Sequence, residues 1–170
     1  MTNTMTNTTA GMTNSTNTGC KMKWHKFTIY FALFVAAISS AFSSISYFNG
    51  HIHTAINGSN IIYNSAEIYA QHPMMQTFDI LFGVFSVLMA VFYIVTRFKL
   101  AGFKKNAPKL LYAALGVSSF IGIAYALTSI IVLGFSMTHI ITIIGSAIIG
   151  IIEIAIYAVY YSKRSELFTN

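Results

Sequence analysis

Four long apolar stretches, separated by short polar segments, dominate the pattern of this chain and cover residues 27–48, 77–98, 110–133 and 140–161. An α-helix needs about 20 mostly apolar residues to cross the hydrocarbon core of a bilayer, and each stretch reaches that length. The pattern therefore predicts an all-α membrane protein, with a bundle of four transmembrane helices within residues 21–170. We number the four stretches as the first to fourth spans.

The segments outside the spans differ in character. Residues 1–20 consist mainly of Thr and Asn with few large apolar side chains, which predicts a disordered tail because little surface is available to bury. The loop at residues 49–76 should hold a short helix that begins near Ser65 and ends before Pro73. The connections after the second and third spans are short, so consecutive spans should be neighbours.

The basic residues give the bundle an orientation. All ten flank the spans on one side of the pattern, whereas the loops at 49–76 and 134–139 contain neither Lys nor Arg. Because short loops rich in Lys and Arg stay in the cytoplasm, both termini are predicted to be cytoplasmic, an N-in/C-in topology. The ten predicted lipid-facing residues are Lys21, Lys23, Lys26, Arg97, Lys99, Lys104, Lys105, Lys109, Lys163 and Arg164.

Composition and charge exclude several classes of protein. A mean hydropathy of +0.65 with 8% charged residues does not fit an ordinary soluble domain. The net charge of +6 comes from residues at helix ends, where they bind anionic lipid headgroups, so we expect no nucleic-acid partner. The single cysteine excludes an intramolecular disulfide and a paired-cysteine zinc site, and no cofactor is expected.

Glu153 is the one acid well inside a span. The midpoint of the fourth span falls near Gly150, so Glu153 lies about 4 Å toward the basic side at a rise of 1.5 Å per residue. An ionised side chain at this depth costs about 2.5–3.5 kcal/mol. Ser118 and Ser119 of the third span lie at nearly the same depth. Glu153 is then either protonated and hydrogen-bonded to one of these serines, as a structural feature, or an intramembrane proton or cation site.

Other polar residues lie on the side without basic residues. Asp79 is predicted in the first turn of the second span, where a carboxylate interacts favourably with the helix dipole. Imidazoles bind zinc and copper, so the four histidines on this side are weak candidates for metal ligands. They are spread over three segments without ligand spacing, which makes scattered loop residues the simpler interpretation. The four are His51, His53, His72 and His139.

Small residues recur at every fourth position of the third and fourth spans, at Ser118, Gly122 and Ala126 and at Ser146 and Gly150. This spacing lets helix backbones approach closely. It predicts a tightly packed bundle and is equally compatible with a homo-oligomer.

Three pieces on the basic side carry a resemblance: KWHKF followed by IYFAL within residues 23–33, TRFKL with FKKN within 96–106, and YSKR through LFTN within 161–170. With these pieces the chain resembles a group of uncharacterised bacterial four-span membrane proteins that often carry a short cytoplasmic zinc ribbon before the first span. The resemblance implies a bacterial cytoplasmic membrane. The paired CxxC motifs of the ribbon are missing here, since Cys20 is the only cysteine, so no zinc site is implied. The group implies no activity and no functional residue.

These observations predict an integral membrane protein without enzymatic activity, because no nucleophile–base pair, phosphate loop or pair of catalytic carboxylates can be assembled. The leading interpretation is an accessory, scaffold or sensory membrane module whose basic cytoplasmic face meets anionic lipid or a cytoplasmic protein partner. The alternative is a small proton- or cation-coupled transporter or channel that uses Glu153.

Overall fold

The computed structural model describes residues 22–53, 56–57, 60–61 and 65–168. The predicted tail at residues 1–20 and Lys21 lie outside the described residues. The described part is helical apart from one two-residue ladder, in which β1 (Ile56–Asn57) pairs antiparallel with β2 (Asn60–Ile61).

The described helical part consists of six α-helices, one π-helical turn and two 3-10 turns. The first span is a continuous helical rod that contains one π-helical turn at Thr28–Ala32, and short 3-10 turns lie at His51–His53 and Ser165–Leu167. The α-helices are α1 (Lys23–Phe27) and α2 (Leu33–Phe48) in the first span, α3 (Ser65–Gln71) in the loop, α4 (Pro73–Ala101) as the second span, α5 (Ala107–Leu133) as the third and α6 (Met137–Ser162) as the fourth.

The predicted spans are confirmed: four helices are long and apolar enough to cross a membrane, which indicates a multi-pass membrane protein. Each helix is somewhat longer than its apolar stretch, because the backbone continues hydrogen bonding into the polar region. Pro73 starts α4 and Pro108 lies at the start of α5, positions where the missing N–H of proline costs nothing. The short helix predicted near Ser65 is also present as α3.

The spans pack in chain order, first on second, second on third and third on fourth. The end of the bundle that holds Lys23, Arg97, Lys109 and Lys163 is called the basic end below, and the other, with the four outer histidines, the histidine end. In the second span 39% of the apolar window is buried, against 6% in the fourth, so the second is central and the fourth peripheral. The buried apolar core lies toward the basic end.

Small residues bring the third and fourth spans together. Gly150 lies directly against the Ser119 side chain, and a Cβ atom on Gly122 would be 3.2 Å from Ser146 Oγ. These close approaches leave no room for larger side chains. The predicted small-residue packing therefore operates within one chain, between its own third and fourth spans.

The π-helical turn links the first two spans. Within it the Ile29 carbonyl accepts a hydrogen bond from Arg97 Nε at 3.0 Å. A π-turn disturbs the regular i to i−4 ladder, so its carbonyls become available to outside donors, and such turns are frequent at functional sites. This contact fixes the basic end of the second span against the first.

Candidate functional site

A polar groove of about 380 Å³ opens between the first and fourth spans. Its floor is formed by Tyr93 of the second span with Leu111, Leu115 and Ser118 of the third. Its walls are formed by the first and fourth spans, through Ala32, Leu33, Ala36, Ser39, Ser40 and Ser43 on one side and Glu153 and Tyr157 on the other. All four spans therefore contribute to one cavity.

The groove lies within the hydrocarbon depth of the bundle. Ala32 and Ser43 are about 16 Å apart along the first span at 1.5 Å per residue, roughly half of a hydrocarbon core of about 30 Å. Ser39 and Ser43 are one turn apart, as are Glu153 and Tyr157, so each wall presents its polar groups on one helix face. Hydroxyl groups and a carboxylate at this depth require polar partners, because lipid chains offer none.

Glu153 is exposed to this groove. Tyr93 and Tyr157 line the groove together with it. Within the described residues Glu153 makes no hydrogen bond, so neither Ser118 nor Ser119 is the bonded partner that the sequence led us to expect. Ser118 lines the same groove, whereas Ser119 faces Gly150 on the other side of α5. The carboxylate is therefore open to a ligand, an ion or water.

A second carboxylate, Asp79 of α4, is fully buried near the histidine end. Its Oδ2 atom lies 2.6 Å from His53 Nε2 and accepts a hydrogen bond from the Tyr69 hydroxyl at 2.7 Å. Its Oδ1 atom accepts a hydrogen bond from the Tyr125 hydroxyl at 3.1 Å. We call these four residues the Asp79 cluster. It joins the 3-10 turn, α3, α4 and α5 on one side chain.

Local backbone geometry places these donors next to the Asp79 carboxylate. Gly50, two residues after the end of α2, has φ +68°, which turns the chain back so that the His51–His53 turn reaches Asp79. A Cβ atom at Gly50 would lie 2.8 Å from the Tyr69 hydroxyl oxygen, so glycine also leaves room for that donor. Burial raises the pKa of the Tyr69 hydroxyl, and its hydrogen bond to Asp79 and the negative charge there raise it further.

The predicted helix-capping role of Asp79 is wrong. Because α4 begins at Pro73, Asp79 lies in its second turn, with its side chain directed into the bundle. The apolar stretch begins later than the helix, so hydropathy misplaced the helix start. Sequence reasoning also missed Tyr69 and Tyr125. Pro73 was a usable signal, since proline at a first helical position would have moved the predicted start back by one turn.

The four outer histidines do not all share one site. His53 is bound to Asp79. It also borders, with His72 and His139, a cavity of about 590 Å³ that is distinct from the Glu153 groove and that Glu67 and Gln71 also line. His51 is exposed and does not line it. Within the described residues no three His, Cys, Asp or Glu side chains are grouped closely enough to hold a metal ion. The weak metal-site hypothesis for His51, His53, His72 and His139 therefore gains no support.

His25 lies at the basic end under a set of aromatic rings. Its Nδ1 atom is 3.0 Å from the Tyr161 hydroxyl, and its backbone N–H donates to the Tyr160 hydroxyl at 3.1 Å. The rings of Phe103 and Phe168 contact the imidazole, with centroids 5.0 Å and 6.0 Å away. These contacts join the first span to the fourth and bury His25 almost completely.

The basic residues at this end divide into two groups. Arg97 binds the Ile29 carbonyl, and Arg164 donates to the Tyr160 carbonyl at 3.1 Å while its guanidinium lies 4.1 Å from the Tyr160 ring centroid. Both arginines are half-buried, so part of each side chain serves the bundle instead of facing lipid. The exposed group is Lys23, Lys26, Lys99, Lys104, Lys105, Lys109 and Lys163.

The fold and these sites define a class, the four-span helical membrane protein with an open intramembrane carboxylate. No family model, no curated protein and no solved structure matches the chain. The resemblance drawn from the sequence therefore stays a prediction.

Proposed function

We propose that this chain is a multi-pass protein of a bacterial cytoplasmic membrane that moves protons or small cations through the Glu153 groove. One observation carries the proposal: a carboxylate without a hydrogen-bond partner among the described residues faces a hydroxyl-lined groove at hydrocarbon depth. A structural acid would be bonded, because an unpaired charged group costs several kilocalories per mole in lipid. The proposal includes no enzymatic activity.

The chemistry of the groove fits a small cation or a proton. Its hydroxyl oxygens can coordinate a cation or hydrogen-bond water, and Glu153 supplies the negative charge. A volume of about 380 Å³ has room for several water molecules. The groove thus supports the transporter alternative more directly than the scaffold interpretation.

Flux measurements on the purified protein in sealed vesicles test this function. Wild-type protein should pass protons or a monovalent cation when a membrane potential is applied, and Glu153→Gln should abolish the flux. Glu166→Gln is the matched control, because this exposed acid lies at the basic end beyond the fourth span. Full flux in Glu153→Gln, with a normal melting temperature, would overturn the proposal.

The N-in/C-in topology is part of the proposal and rests on the one-sided placement of the basic residues. In a Cys20→Ser background, His51→Cys should react with an impermeant maleimide added to intact cells, and Asn106→Cys should not. Both positions are exposed at opposite ends of the bundle. The reverse labelling pattern would overturn the orientation.

A second candidate function is an accessory, scaffold or sensory module at the cytoplasmic face. The exposed lysines at the basic end support it, since Lys104 and Lys105 are adjacent in the short loop after α4 and Lys99 lies in the last turn of that helix. Anionic phosphatidylglycerol should raise the melting temperature of the detergent-solubilised protein, because a ligand of the folded state stabilises it. The double variant Lys104→Gln/Lys105→Gln should lose most of that shift. An equal shift with phosphatidylcholine would argue against a charge-specific lipid site.

A further inference from the structure

We propose that a chain of hydroxyl, carboxyl and imidazole groups crosses the bundle from the Asp79 cluster, through the Glu153 groove, to His25, and that it conducts protons. The inference rests on the proposed function and names its substrate as the proton. It also assigns roles to Asp79, Tyr125, Thr28 and His25, which lie outside the groove.

The path begins at the histidine end. His53 Nε2 lies 2.6 Å from Asp79 Oδ2, and Asp79 Oδ1 accepts from the Tyr125 hydroxyl at 3.1 Å. The Asp79 carboxylate thus has one oxygen facing the outer turn and the other facing the interior of the bundle. Both distances are in the range at which protons transfer along hydrogen bonds.

Tyr125 connects this cluster with the groove. Its ring is in edge contact with the Tyr47 ring, with centroids 4.9 Å apart, and Tyr47 lies one helical turn beyond Ser43 on the first span. Ser43 already lines the groove together with Ser39 and Ser40. Tyr47 is also near enough to Asp79 to feel its charge. Polar side chains therefore continue from Asp79 toward the groove, and the proposed path requires a water molecule to bridge Tyr47 and Ser43.

The groove leads to the other half of the bundle. Tyr93, Ser118 and Glu153 line the same groove, and Tyr157 lies one turn from Glu153 on the fourth span. The hydroxyl of the buried Thr28 neighbours the hydroxyls of both Tyr157 and Tyr161. The π-helical turn places Thr28 here, at the first residue of the irregular segment.

His25 is the last member. Its Nδ1 atom lies 3.0 Å from the Tyr161 hydroxyl, whereas its Nε2 atom is buried without a hydrogen-bond partner among the described residues. Release of the proton at the basic end therefore requires water to reach Nε2. Along the path each hydroxyl group accepts a proton on a free lone pair and releases its own proton to the next acceptor. The carboxylates of Asp79 and Glu153 take up one proton and release one, as do the rings of His53 and His25. Each hydroxyl group and imidazole ring then reorients, every group regains its starting protonation, and the membrane potential drives the net transfer of one proton.

Single-oxygen deletions on both sides of the groove test the path. Tyr125→Phe and Thr28→Val each remove one hydroxyl with little change of shape. Tyr30→Phe and Thr142→Val are the matched controls, since Tyr30 is exposed on the first span. Thr142, exposed on the fourth, makes the same hydroxyl bond to a carbonyl four residues earlier as Thr28 does. Proton flux into vesicles would be followed with an internal pH dye under an applied potential.

Each path variant should lower proton flux at least about tenfold, which corresponds to about 1.4 kcal/mol of added barrier. The control variants should match the wild type. Wild-type proton flux in both Tyr125→Phe and Thr28→Val would overturn the path.

If Glu153→Gln abolishes flux while these two variants keep it, the path fails and the proposed function stands. If the wild type passes a metal cation but no protons, the path fails in the same way. Flux that survives in Glu153→Gln ends the function proposed for that residue.

Discussion

Asp79 and Glu153 are both carboxylic acids inside the spans, yet the surroundings of their side chains are opposite. Asp79 is fully buried, and its two oxygens contact three side chains from three other elements. Glu153 is exposed in a groove and makes no hydrogen bond within the described residues. A buried and fully satisfied polar network rigidifies a fold, whereas an open polar group keeps its capacity to bind. We therefore expect Asp79 to contribute far more to stability than Glu153, and Glu153 to be the acid that is free to bind a proton, a cation or water.

The largest expected effect is the loss of stability when the Asp79 cluster is broken. Asp79→Leu leaves His53, Tyr69 and Tyr125 without their shared acceptor, and removing one partner of a buried pair costs about 3–5 kcal/mol. Unfolding of the purified protein by denaturing detergent would measure the difference. A loss below about 1 kcal/mol would show that Asp79 does not organise this end of the bundle.

A smaller loss is expected when one donor is removed. Tyr69→Phe deletes a hydrogen bond to Asp79 from the surface helix α3 but leaves His53 and Tyr125 in place. The expected cost is roughly 1 to 2 kcal/mol, the range for a hydrogen bond to a charged group in a partly exposed position. Faster amide hydrogen exchange in α3 would accompany it. Tyr30→Phe should change neither quantity, and an equal loss there would contradict this explanation.

Alkaline pH gives a weaker test of the same bond. The folded protein raises the pKa of Tyr69 above its ordinary value near 10, so above that pH the unfolded chain releases the phenolic proton first. The stabilisation from Tyr69 is therefore complete below about pH 10 and falls as the pH rises through the folded pKa. Melting temperatures should decline more steeply above pH 10 in the wild type than in Tyr69→Phe. Identical slopes would contradict the assigned bond.

The smallest effect on stability is expected at Glu153. Because this side chain is exposed and unbonded within the described residues, Glu153→Leu should change the free energy of unfolding by no more than about 0.5 kcal/mol. The same denaturing-detergent titration used for Asp79→Leu gives a direct comparison. A loss of more than about 2 kcal/mol would mean that Glu153 is a structural residue after all.

Hydropathy predicted the spans well because the requirement behind it is local: each peptide group in lipid must be bonded within its own helix. The depth of Glu153 followed from the same arithmetic. The partners of Glu153 could not be predicted in this way, because successive residues differ by about 100° around a helix axis. Ser118 and Ser119 have nearly the same depth, yet one faces the groove and the other Gly150. Rotation of each helix depends on packing between spans, which the sequence pattern does not contain.

The hydrogen-bond partners of Asp79 could not be predicted from the sequence for a related reason. Its donors lie 26 positions before it, 10 before it and 46 after it. The chain brings them together through the turn at Gly50, the placement of α3 and the contact between the second and third spans. None of these can be derived from the residues beside Asp79. Its sequence context therefore suggested a residue at a helix end, whereas the structure shows a buried carboxylate that contacts three side chains.

A hydrophobic carbodiimide tests the contrast between the two acids most directly, because it reacts from the lipid phase with accessible protonated carboxyl groups. The purified protein in vesicles would be treated and then digested, and the modified peptides located by mass spectrometry. We predict an adduct on Glu153 that is absent in Glu153→Gln, with Asp79 unmodified in both proteins. Modification of Asp79 with Glu153 left untouched would contradict the account.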